Sequence, residues 1–439
     1  MDRRRDAAVA LVGEFARHLD IDAGVELWDG TRLPLGSNVT RDLRLTIADP
    51  GVLASLVRWP TLDRIIRHYA RGDIGLEGGT LIDFGREVGR EDVRRRMKAL
   101  PRLALLRHLL PFLTGPSLSP DRTRDFAGEA TGEGRSKADN RAYIKFHYDV
   151  GNDFYRLFLD PELVYSCAYF EDWEGTLEAA QVAKLDLVCR KLRLKPGDRF
   201  LDIGCGWGAL VCHAARHYGV TAHGITLSDE QLAAARRKIE DLGLGHRVTV
   251  EIRDYQDLTG TYDKIASVGM YEHIGLKNIP VYMKTVRRLL ADGGLFLNHA
   301  ISRRAKRRQS RFAARAEQRA LVKYIFPGGE LDDIGHTVAA MEQAGFEVYD
   351  VEGLRWHYAV TTRHWCERLH ARRAEAEALV GAPTVRIWLA YLAGCSLAFE
   401  RGSARIFQTL AGKSARGRPG VPPTRADLYR DREPQQEER

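Results

Sequence analysis

Three closely spaced glycines mark the part of this chain best suited to bind a small polar cofactor. The segment Phe-Leu-Asp-Ile-Gly-Cys-Gly-Trp-Gly runs from Phe200 to Gly208. Its apolar start is typical of a buried strand, and the residues from Ala209 onward are typical of a helix. Gly204 and Gly206 permit a tight turn and a close backbone approach, and a helix N-terminus favours anionic groups. The spacing therefore predicts a cofactor site at this turn.

The pattern of this turn is more specific than two glycines alone. It resembles motif I of the class I S-adenosylmethionine-dependent methyltransferases and differs from the GxGxxG dinucleotide fingerprint. The motif by itself leaves open a purely structural turn or a nucleotide-dependent dehydrogenase. The resemblance implies that S-adenosylmethionine is held by a loop that comprises Asp202, Gly204, Cys205, Gly206 and Gly208.

Further cofactor contacts are expected where the next strands end, because ligands of open α/β sheets lie at the carboxyl ends of strands. The second strand ends at His223-Gly-Ile-Thr226 and lacks the acidic residue that most of these methyltransferases direct at the ribose. After the third strand, Asp254 suits the adenine as an acceptor and Tyr255 suits it as an aromatic wall. The candidates for the ribose and adenine are Thr226, Leu227, Gln231, Asp254 and Tyr255.

The elements that position these residues alternate between strands and helices from Tyr143 onward. This alternation predicts an α/β, Rossmann-like domain with a parallel sheet covered on both faces. Two of the predicted helices are Ser228–Leu242 and Lys277–Leu290. The predicted strands are Arg199–Ile203, Thr221–Thr226, Val248–Arg253, Lys264–Gly269, Gly294–Ala300 and Phe346–Glu352.

The chain divides into four predicted parts. Residues 1–114 form a smaller α+β unit, 115–140 a flexible linker rich in Gly, Pro and Ser, 141–411 the catalytic domain, and 412–439 a polar tail predicted to be disordered. The apolar segment Leu100–Leu113 has two interpretations. It is either a helix packed on its own domain, which we favour, or a surface helix that enters lipid.

Composition limits the class of protein. The 439 residues are 44% hydrophobic and 29% charged, with a net charge of +8, as in globular proteins that bind anionic partners. No apolar run reaches the ~20 residues of a spanning helix, and no signal peptide is evident, so we expect neither an integral membrane nor a secreted protein. The six cysteines lack zinc-type spacing, which predicts reduced cytosolic thiols and no metal site.

A series of segments, taken together, resembles the cyclopropane-fatty-acyl-phospholipid synthases and the related mycolic-acid cyclopropane synthases. The N-terminal segment Tyr69–Gly75 resembles the extra domain of the phospholipid-acting members, which favours a phospholipid acyl chain as substrate. The other segments, in the family's order, are His147–Tyr155, Val164–Phe170, Leu201–Leu210, Gly224–Gln231, Ser267–Gly275, Lys323–Leu331 and His357-Tyr358.

The chemistry of that family explains which residues would be required. An isolated cis double bond is a weak nucleophile, so its attack on a sulfonium methyl needs proximity in a dry site. The resulting carbocation closes to a ring when a proton leaves the added methyl, which requires a base, in this family thought to be a bicarbonate ion. The resemblance implies that side chains of Glu272, His299 and Tyr358 and backbone amides of Cys167 and Ile301 hold this ion.

Other positions follow from the same resemblance. Tyr165 and Ser166 would contact the methionine end of the cofactor. Cys395 matches a cysteine sometimes labelled a nucleophile, but the chemistry has no step for a thiolate and a cysteine in an apolar helix is usually a buried hydrophobe. His273 and His357 are interpreted as structural.

Two departures from the family, Ala300 in place of a frequent Thr and Cys366 in place of a Tyr found in some relatives, leave the shape of the acyl pocket open. The basic segment Ser302–Ala320 carries eight Lys or Arg. It is either a solvated face, a nucleic-acid contact or, as we prefer, a contact to an anionic phospholipid surface. The expected partners are therefore unsaturated phospholipid acyl chains and the inner face of the membrane, reached peripherally from the cytoplasm. A homodimer is a family expectation.

Three alternatives to a ring-forming enzyme remain. A related C-methyltransferase would leave a methyl or methylene branch. A nucleic-acid methyltransferase would suit the basic charge, but Gly269–Glu272 replaces the Asn/Asp-Pro-Pro-aromatic motif of many amino-group methylases, so we expect no nucleic-acid partner. A non-catalytic lipid-binding protein would keep only the fold, which the intact cofactor loop and base residues argue against.

Overall fold

The structure is a computed structural model of the chain. It describes residues 3–100, 102–119, 142–144, 147, 150–305, 315–415, 417 and 420–429. Most of the predicted linker and residues 306–314 of the predicted basic segment lie outside the described residues, so the predictions made for them stay predictions.

The N-terminal unit combines a four-stranded sheet with six helices. The order of its strands is β2-β1-β3-β4, and Asp29-Gly30 lies in the turn between β1 and β2. Its strands are β1 (Gly24–Glu26), β2 (Arg32–Pro34), β3 (Arg44–Ile47) and β4 (Ile74–Glu77). Its helices are α1 (Arg3–Leu19), α2 (Pro50–Arg58), α3 (Leu62–Arg71), α4 (Leu81–Gly89), α5 (Glu91–Lys98) and α6 (Arg102–Thr114).

The second unit contains a seven-stranded sheet in the order β10-β11-β9-β8-β5-β6-β7. The neighbouring strands β9, β8, β5, β6 and β7 are mutually parallel, and β11 is antiparallel to both of its neighbours. The prediction of a Rossmann-like α/β domain is confirmed. The strands are β5 (Arg199–Ile203), β6 (Thr221–Thr226), β7 (Val248–Ile252), β8 (Tyr262–Val268), β9 (Leu290–Arg303), β10 (Glu347–Gly353) and β11 (Ala404–Gly412).

Helices cover this sheet, and several begin at a side chain that caps them. Thr176, Ser228 and Asp333 each accept a hydrogen bond from a backbone N–H of the first helical turn, which satisfies donors that the helix leaves unpaired. The helices are α7 (Asn152–Arg156), α8 (Leu177–Leu192), α9 (Ala209–Tyr218), α10 (Asp229–Asp241), α11 (Ile279–Leu289), α12 (Ala316–Tyr324), α13 (Ile334–Gln343), α14 (Arg355–Ala371), α15 (Arg373–Val380) and α16 (Ala382–Glu400).

Strand β11 was missed by the sequence analysis. It lies between β9 and β10, and its register places Gln408 opposite His299. The segment Ala404–Gly412 follows a long helix and mixes apolar and polar residues without strict alternation, so periodicity alone does not distinguish it from a helix end. The omission matters because β11 brings Gln408 beside a candidate base residue.

Helix α16 joins the two units. By length and composition it is the one described helix that could cross a membrane. One of its faces packs against α14, and α3 and α4 of the N-terminal unit also pack on it. Its buried residues include Trp388, Leu392 and Phe399, as expected of a core helix. An ion pair between Arg86 and Glu400 adds a polar contact between the units.

The predicted disordered tail is ordered in part. The described residues 420–429 include a short 3₁₀ helix, Ala426–Tyr429. Arg193 forms an ion pair with Asp427 at 2.9 Å, and Arg425 forms one with Asp350 at 3.0 Å. The prediction of disorder is therefore wrong for these residues, because the polar side chains on which it rested have partners on the catalytic domain.

Candidate active site

A cavity opens at the carboxyl ends of β5, β6 and β8, next to the glycine turn. Gly204 and Gly206 have φ values of +87° and +54° there, as the sequence pattern required. A Cβ atom at Gly204 would lie 3.1 Å from the Met270 side chain, so a larger residue would crowd the cavity wall.

The structure brings together eleven of the twelve residues predicted to bind the cofactor. Gly208 does not line the cavity. It precedes α9 with a φ of +84°, and a Cβ atom there would lie 3.1 Å from Cβ of Ala235, so it serves the packing of two helices. The eleven that line the cavity are Tyr165, Ser166, Asp202, Gly204, Cys205, Gly206, Thr226, Leu227, Gln231, Asp254 and Tyr255.

Several polar groups of the cavity are positioned by one another. The hydroxyl of Thr226 donates to Oε1 of Gln231 at 2.8 Å, so the two ribose candidates form one unit. Asp254 accepts a hydrogen bond from the backbone N–H of Gln256 at 2.9 Å, which holds its carboxylate at the end of β7. These bonds pre-organise the side chains that would face a nucleoside.

Lys184 is a cavity residue that the sequence analysis missed. Its Nζ donates to the Ser166 hydroxyl at 2.9 Å. Burial lowers the pKa of Lys184 to about 8, and burial raises the pKa of Asp202 to about 7. A signal was available in the sequence, because Lys184 falls on the apolar face of α8 between Gln181 and Leu185.

The cavity fits the cofactor that the sequence pattern implies. Oδ1 of Asp202 is buried and has no hydrogen-bond partner among the described residues, so it can accept a bond from the amino group of a methionine moiety. Arg253 and His273 also line the cavity. His273 reaches the cavity from the turn after β8 and also contacts the Phe326 ring, so its interpretation as structural stays a prediction.

Glu272 lies next to this cavity, since the adjacent residue His273 lines it. It is 7% exposed, and its Oε1 accepts the backbone N–H of Ile301. Its Oε2 has no partner among the described residues. Burial raises the pKa of Glu272 to about 7, so its carboxyl is readily protonated at neutral pH.

The Ile301 amide departs from the expected arrangement. The family resemblance gave this N–H to an ion, whereas the structure gives it to Glu272. Tertiary contact decides this, because the 3₁₀ turn Tyr271–His273 brings the carboxylate against β9.

The His299 side chain is oriented by a chain of buried polar groups. Lys191 donates to Oε1 of Gln408 at 2.7 Å, and Nε2 of Gln408 contacts Nδ1 of His299 at 3.1 Å. An ammonium group can only donate, so the amide oxygen faces Lys191 and the amide nitrogen donates to Nδ1. The proton of a neutral His299 must therefore be on Nε2.

The series of buried polar contacts that ends at His299 starts at Glu352, which forms an ion pair with Lys191. His299 is 1% exposed, and burial holds its pKa well below the usual value, so it is neutral. Its Nε2 has no partner among the described residues. Local sequence patterns could not predict this arrangement, because the three strands and the helix that contribute to it lie far apart along the chain.

Tyr358 and Cys167 lie in one large buried cluster of aromatic and aliphatic side chains, and Ile301 and Cys395 pack against it. Sγ of Cys167 contacts the carbonyl of Leu354, which also accepts the N–H of Tyr358 at 3.1 Å. Burial raises the pKa of Cys395 to about 12, so its thiol is protonated. His357 accepts the N–H of Phe170 at 3.0 Å, a structural contact.

Glu272, His299 and Tyr358 thus do not line the cofactor cavity itself. Two pairs of adjacent residues connect this region to the cofactor cavity. Ser166 lines the cavity and Cys167 follows it, while His273 lines the cavity and Glu272 precedes it. His299 also pairs with Val268, which lines the cavity. Glu272 and His299 therefore lie next to the cofactor cavity, and Tyr358 belongs to the neighbouring apolar cluster.

Comparison with known proteins identifies the family. The family model for mycolic acid cyclopropane synthetase matches residues 135–409. A "probable fatty acid methyltransferase" from Pseudomonas putida is 37% identical over 94% of this chain and 97% of its own length. The cyclopropane-fatty-acyl-phospholipid synthase of Escherichia coli is 38% identical over 62% of this chain and 69% of its own length.

The chain belongs to the mycolic acid cyclopropane synthetase family. It is an S-adenosylmethionine-dependent methyltransferase of this family. The crystal structure of mycolic acid cyclopropane synthase CmaA1 with SAH and CTAB has a TM-score of 0.58 and 33% identity over 62% of this chain and 97% of that one. The structure of the cyclopropane synthase MmaA2 from Mycobacterium tuberculosis has a TM-score of 0.59 and 32% identity over 64% and 99%.

The raised pKa of Glu272 predicts a pH-dependent gain in stability for Glu272→Gln. The wild-type carboxyl resists ionisation when folded, so wild-type stability falls as pH rises from 4.5 to about 7, whereas an amide escapes this loss. From pH 4 to pH 8 the variant should gain about 3 kcal/mol in unfolding free energy relative to wild type. Urea unfolding measures this. The exposed Glu240→Gln is the control, and a pH-independent difference for Glu272→Gln would contradict the assignment.

The chain of buried polar groups predicts the tautomer of His299. The ¹⁵N chemical shifts of labelled protein should show His299 neutral with its proton on Nε2, assigned by loss of the signals in His299→Gln. In Gln408→Glu the introduced carboxylate accepts from the ring, so the proton should move to Nδ1. Gln343→Glu, at the exposed end of α13, should leave the signals unchanged. An Nδ1–H tautomer in the wild type would show that the orientation derived for Gln408 is wrong.

Proposed function

We propose that this methyltransferase adds a methylene group to the cis double bond of an unsaturated phospholipid acyl chain, with formation of a cyclopropane ring. The observation that carries the proposal is the pair of unpartnered buried atoms, Oε2 of Glu272 and Nε2 of His299, in the region behind the cofactor cavity. The names of the Escherichia coli and mycobacterial relatives support an acyl chain with a double bond as substrate.

The chain's own residues would perform three tasks. The cluster around Tyr358 and Trp365 excludes water and offers aromatic faces that stabilise a cation on the acyl chain. The glycine turn with Asp202, Tyr165 and Ser166 orients the cofactor, which supplies the electrophilic methyl group when bound. Lys184 keeps the Ser166 hydroxyl in place.

The surplus proton needs an acceptor that does not itself attack the cation. Glu272 and His299 are suited to hold a bicarbonate ion, because Nε2–H donates and a carboxyl with a pKa of about 7 can donate or accept. Tyr358 and the amide of Cys167 would complete its contacts, and the amide of Ile301 would act by holding Glu272. A bound bicarbonate supplies the base for this proton.

Cys395 is not assigned a covalent role. Cys395 packs against the cluster that contains Tyr358, and its raised pKa leaves its thiol protonated at neutral pH. A protonated thiol is a poor nucleophile, and ring closure does not require one.

A second function is favoured by a different observation. The relatives from Pseudomonas putida and Mycobacterium tuberculosis, at 37% and 42% identity, are both named probable fatty acid methyltransferases. A 1,2-hydride shift would move the cation to the methylated carbon, and loss of a proton from the methyl group would then leave a methylene branch. A partner reductase that supplies hydride and a proton would convert this branch to a methyl branch. The fate of the cation distinguishes the two functions.

Analysis of the reaction products tests both ring formation and branch formation. The purified protein is incubated with S-adenosylmethionine and vesicles of dioleoylphosphatidylglycerol, and the fatty-acid methyl esters are analysed by mass spectrometry. We expect a gain of one CH₂ that mild hydrogenation leaves intact, as for a ring. A gain that hydrogenation converts to a branched chain would favour the second function, and no gain would contradict both.

Glu272→Gln is the matched variant in this assay. An amide cannot cycle a proton, so turnover should fall by at least about 100-fold while S-adenosylmethionine binding, measured by calorimetry, stays within about twofold. Glu240→Gln serves again as the control. Full turnover in Glu272→Gln would remove the proposed role of this carboxyl.

We also propose that the N-terminal unit docks on the inner, anionic face of a membrane. Helix α6 buries Phe112 but exposes a stripe of leucines at helical spacing: Leu103 is 84% exposed, Leu106 53%, Leu110 60% and Leu113 46%. The helix packs against α1 and α2 through Phe112, as we favoured from sequence. The exposed leucines on its other side support the alternative, contact with lipid, as a proposal.

The charge beside this stripe supports a lipid partner. Helix α5, which precedes α6, exposes a run of four basic residues around Met97. Trp59, 50% exposed, lies next to Arg58, whose guanidinium donates to the carbonyl of Leu113 at 2.8 Å. Basic residues attract anionic head groups and tryptophan favours the interface, so the surface has the chemistry of a peripheral anchor.

Vesicle binding tests this surface. In Leu106→Glu/Leu110→Glu, affinity for vesicles of phosphatidylglycerol and phosphatidylcholine in equal parts should fall at least about tenfold, because two leucines that would enter the lipid are lost and two negative charges are added. The control is Leu379→Glu, which is 52% exposed on α15. Unchanged vesicle binding would contradict the proposal, and a dimer dissociated by the double variant would identify the stripe as a subunit interface instead.

A further inference from the structure

A second cavity lies between the N-terminal unit and the catalytic domain. One wall comes from α3, β4 and the turn before α4, and the other from α14, α15 and α16. It is separate from the cofactor cavity and shares none of its lining residues. Its volume is about 210 Å³. The side chains that matter for its chemistry are Tyr69, Glu77, His370, Arg373 and Arg386.

Arg386 is the lining residue that most strongly indicates an anionic ligand. It is only partly exposed, and it forms no hydrogen bond or ion pair with any part of the chain that the structure describes. Its guanidinium lies against the backbone at Gly72, where a Cβ atom would be 2.0 Å from Nη1. A partly buried guanidinium without a counter-charge is suited to an anionic ligand, with which it can form paired hydrogen bonds.

The neighbouring groups strengthen the positive character of the cavity. Arg373 donates from Nε to Glu377 at 2.7 Å, and His370 adds a ring nitrogen that can donate. Burial raises the pKa of Tyr69 to about 12, so its hydroxyl remains protonated. Glu77 forms an ion pair with Arg44, as Arg373 does with Glu377, and the lining residues Arg373 and Arg386 outnumber Glu77. The net lining charge is therefore positive.

The cavity also explains a segment that the cofactor site does not use. Tyr69, Gly72, Ile74 and Gly75, all from the segment that resembles the phospholipid-acting enzymes, line it. Gly72 has a φ of +91°, and a Cβ atom at Gly75 would lie 2.3 Å from Oγ1 of Thr46. Glycine at both positions keeps the cavity open, and at Gly72 it admits the guanidinium.

The floor of the cavity faces the acyl-binding region. Cys366 and Leu389 line the cavity and belong to the same buried cluster as Tyr358. Cys366 follows Tyr358 by eight residues in α14, which is about 12 Å along the helix axis. A mid-chain double bond is separated from its lipid phosphate by many methylene groups, so one lipid molecule can approach both places.

We propose that this cavity binds the phosphate group of the phospholipid substrate, with Arg386 as the principal contact. The inference rests on the proposed function and adds a headgroup site to it. Arg373, His370 and Tyr69 would supply further donors to the phosphate oxygens. Such a site selects phosphorylated lipids over uncharged ones and fixes the headgroup at the junction of the two units.

Paired substrates test the proposal. The full-length protein is assayed with dioleoylphosphatidylglycerol and with dioleoylglycerol, which has the same acyl chains but no phosphate, each in the same detergent micelles. Arg386→Gln should lower kcat/KM for the phospholipid by about 10- to 100-fold through KM, the range of a charge-assisted bond. Its kcat/KM for dioleoylglycerol should stay within twofold of wild type.

Arg372→Gln is the matched control, because it removes an equal charge next to Arg373 from a residue that is exposed and paired with Glu375 at 2.7 Å. It should change neither substrate's kcat/KM. Equal losses on both lipids in Arg386→Gln would mean a structural role and overturn the proposal, as would no loss on either. Inorganic phosphate should inhibit wild type competitively with the phospholipid; inhibition that persists in Arg386→Gln would place the phosphate contact elsewhere.

A failure of the proposed function is distinguishable from a failure of this site. If wild type converts neither lipid, the proposed function fails, and the site is then tested by ³¹P NMR titration of inorganic phosphate. Line broadening in wild type that is lost in Arg386→Gln and kept in Arg372→Gln would support an anion site that takes free phosphate. No broadening in wild type would overturn the site as well.

Discussion

The exclusion of water from Glu272 and His299 is the constraint on which the candidate active site depends. In water one would be an anion and the other partly a cation, whereas burial raises the pKa of the first and lowers that of the second. Both can then be neutral at the same pH. A dry, uncharged wall is what a carbocation on an acyl chain requires, because any exposed nucleophile or water would capture it.

Burial of polar groups has an energetic cost that the surroundings must offset. The Ile301 amide satisfies one oxygen of Glu272, and Gln408 satisfies one nitrogen of His299. Each side chain keeps one atom unpartnered among the described residues, and buried unpartnered atoms are uncommon in folded proteins. Both atoms can therefore form a hydrogen bond with a ligand.

In the proposed function, the two units of the chain have different roles. The catalytic domain holds the cofactor and the buried base site. The N-terminal unit contributes an exposed leucine stripe on α6 and one wall of the basic cavity at α16. Helix α16 packs against both units, so a lipid held at the N-terminal unit lies against the same helix whose residues enclose Tyr358.

The sequence by itself determined the strand–turn–helix of the cofactor loop, the six strands from Arg199 to Glu352 and the domain class, because these depend on local periodicity and on glycines with positive φ. Family resemblance extended this to the residues of the base site. The antiparallel β11 was not predicted, since its mixed apolar and polar residues show no strict alternation, and Gln408 was missed with it.

Only the tertiary structure decided which groups are neutral and which donors remain available. The Ile301 amide is given to Glu272, Gly208 supports helix packing, and Lys184 reaches Ser166. Each of these contacts joins residues far apart along the chain or depends on how deeply a side chain is buried. Local sequence specifies where an element begins and what it is, but desolvation and long-range hydrogen bonds arise only when the elements pack together.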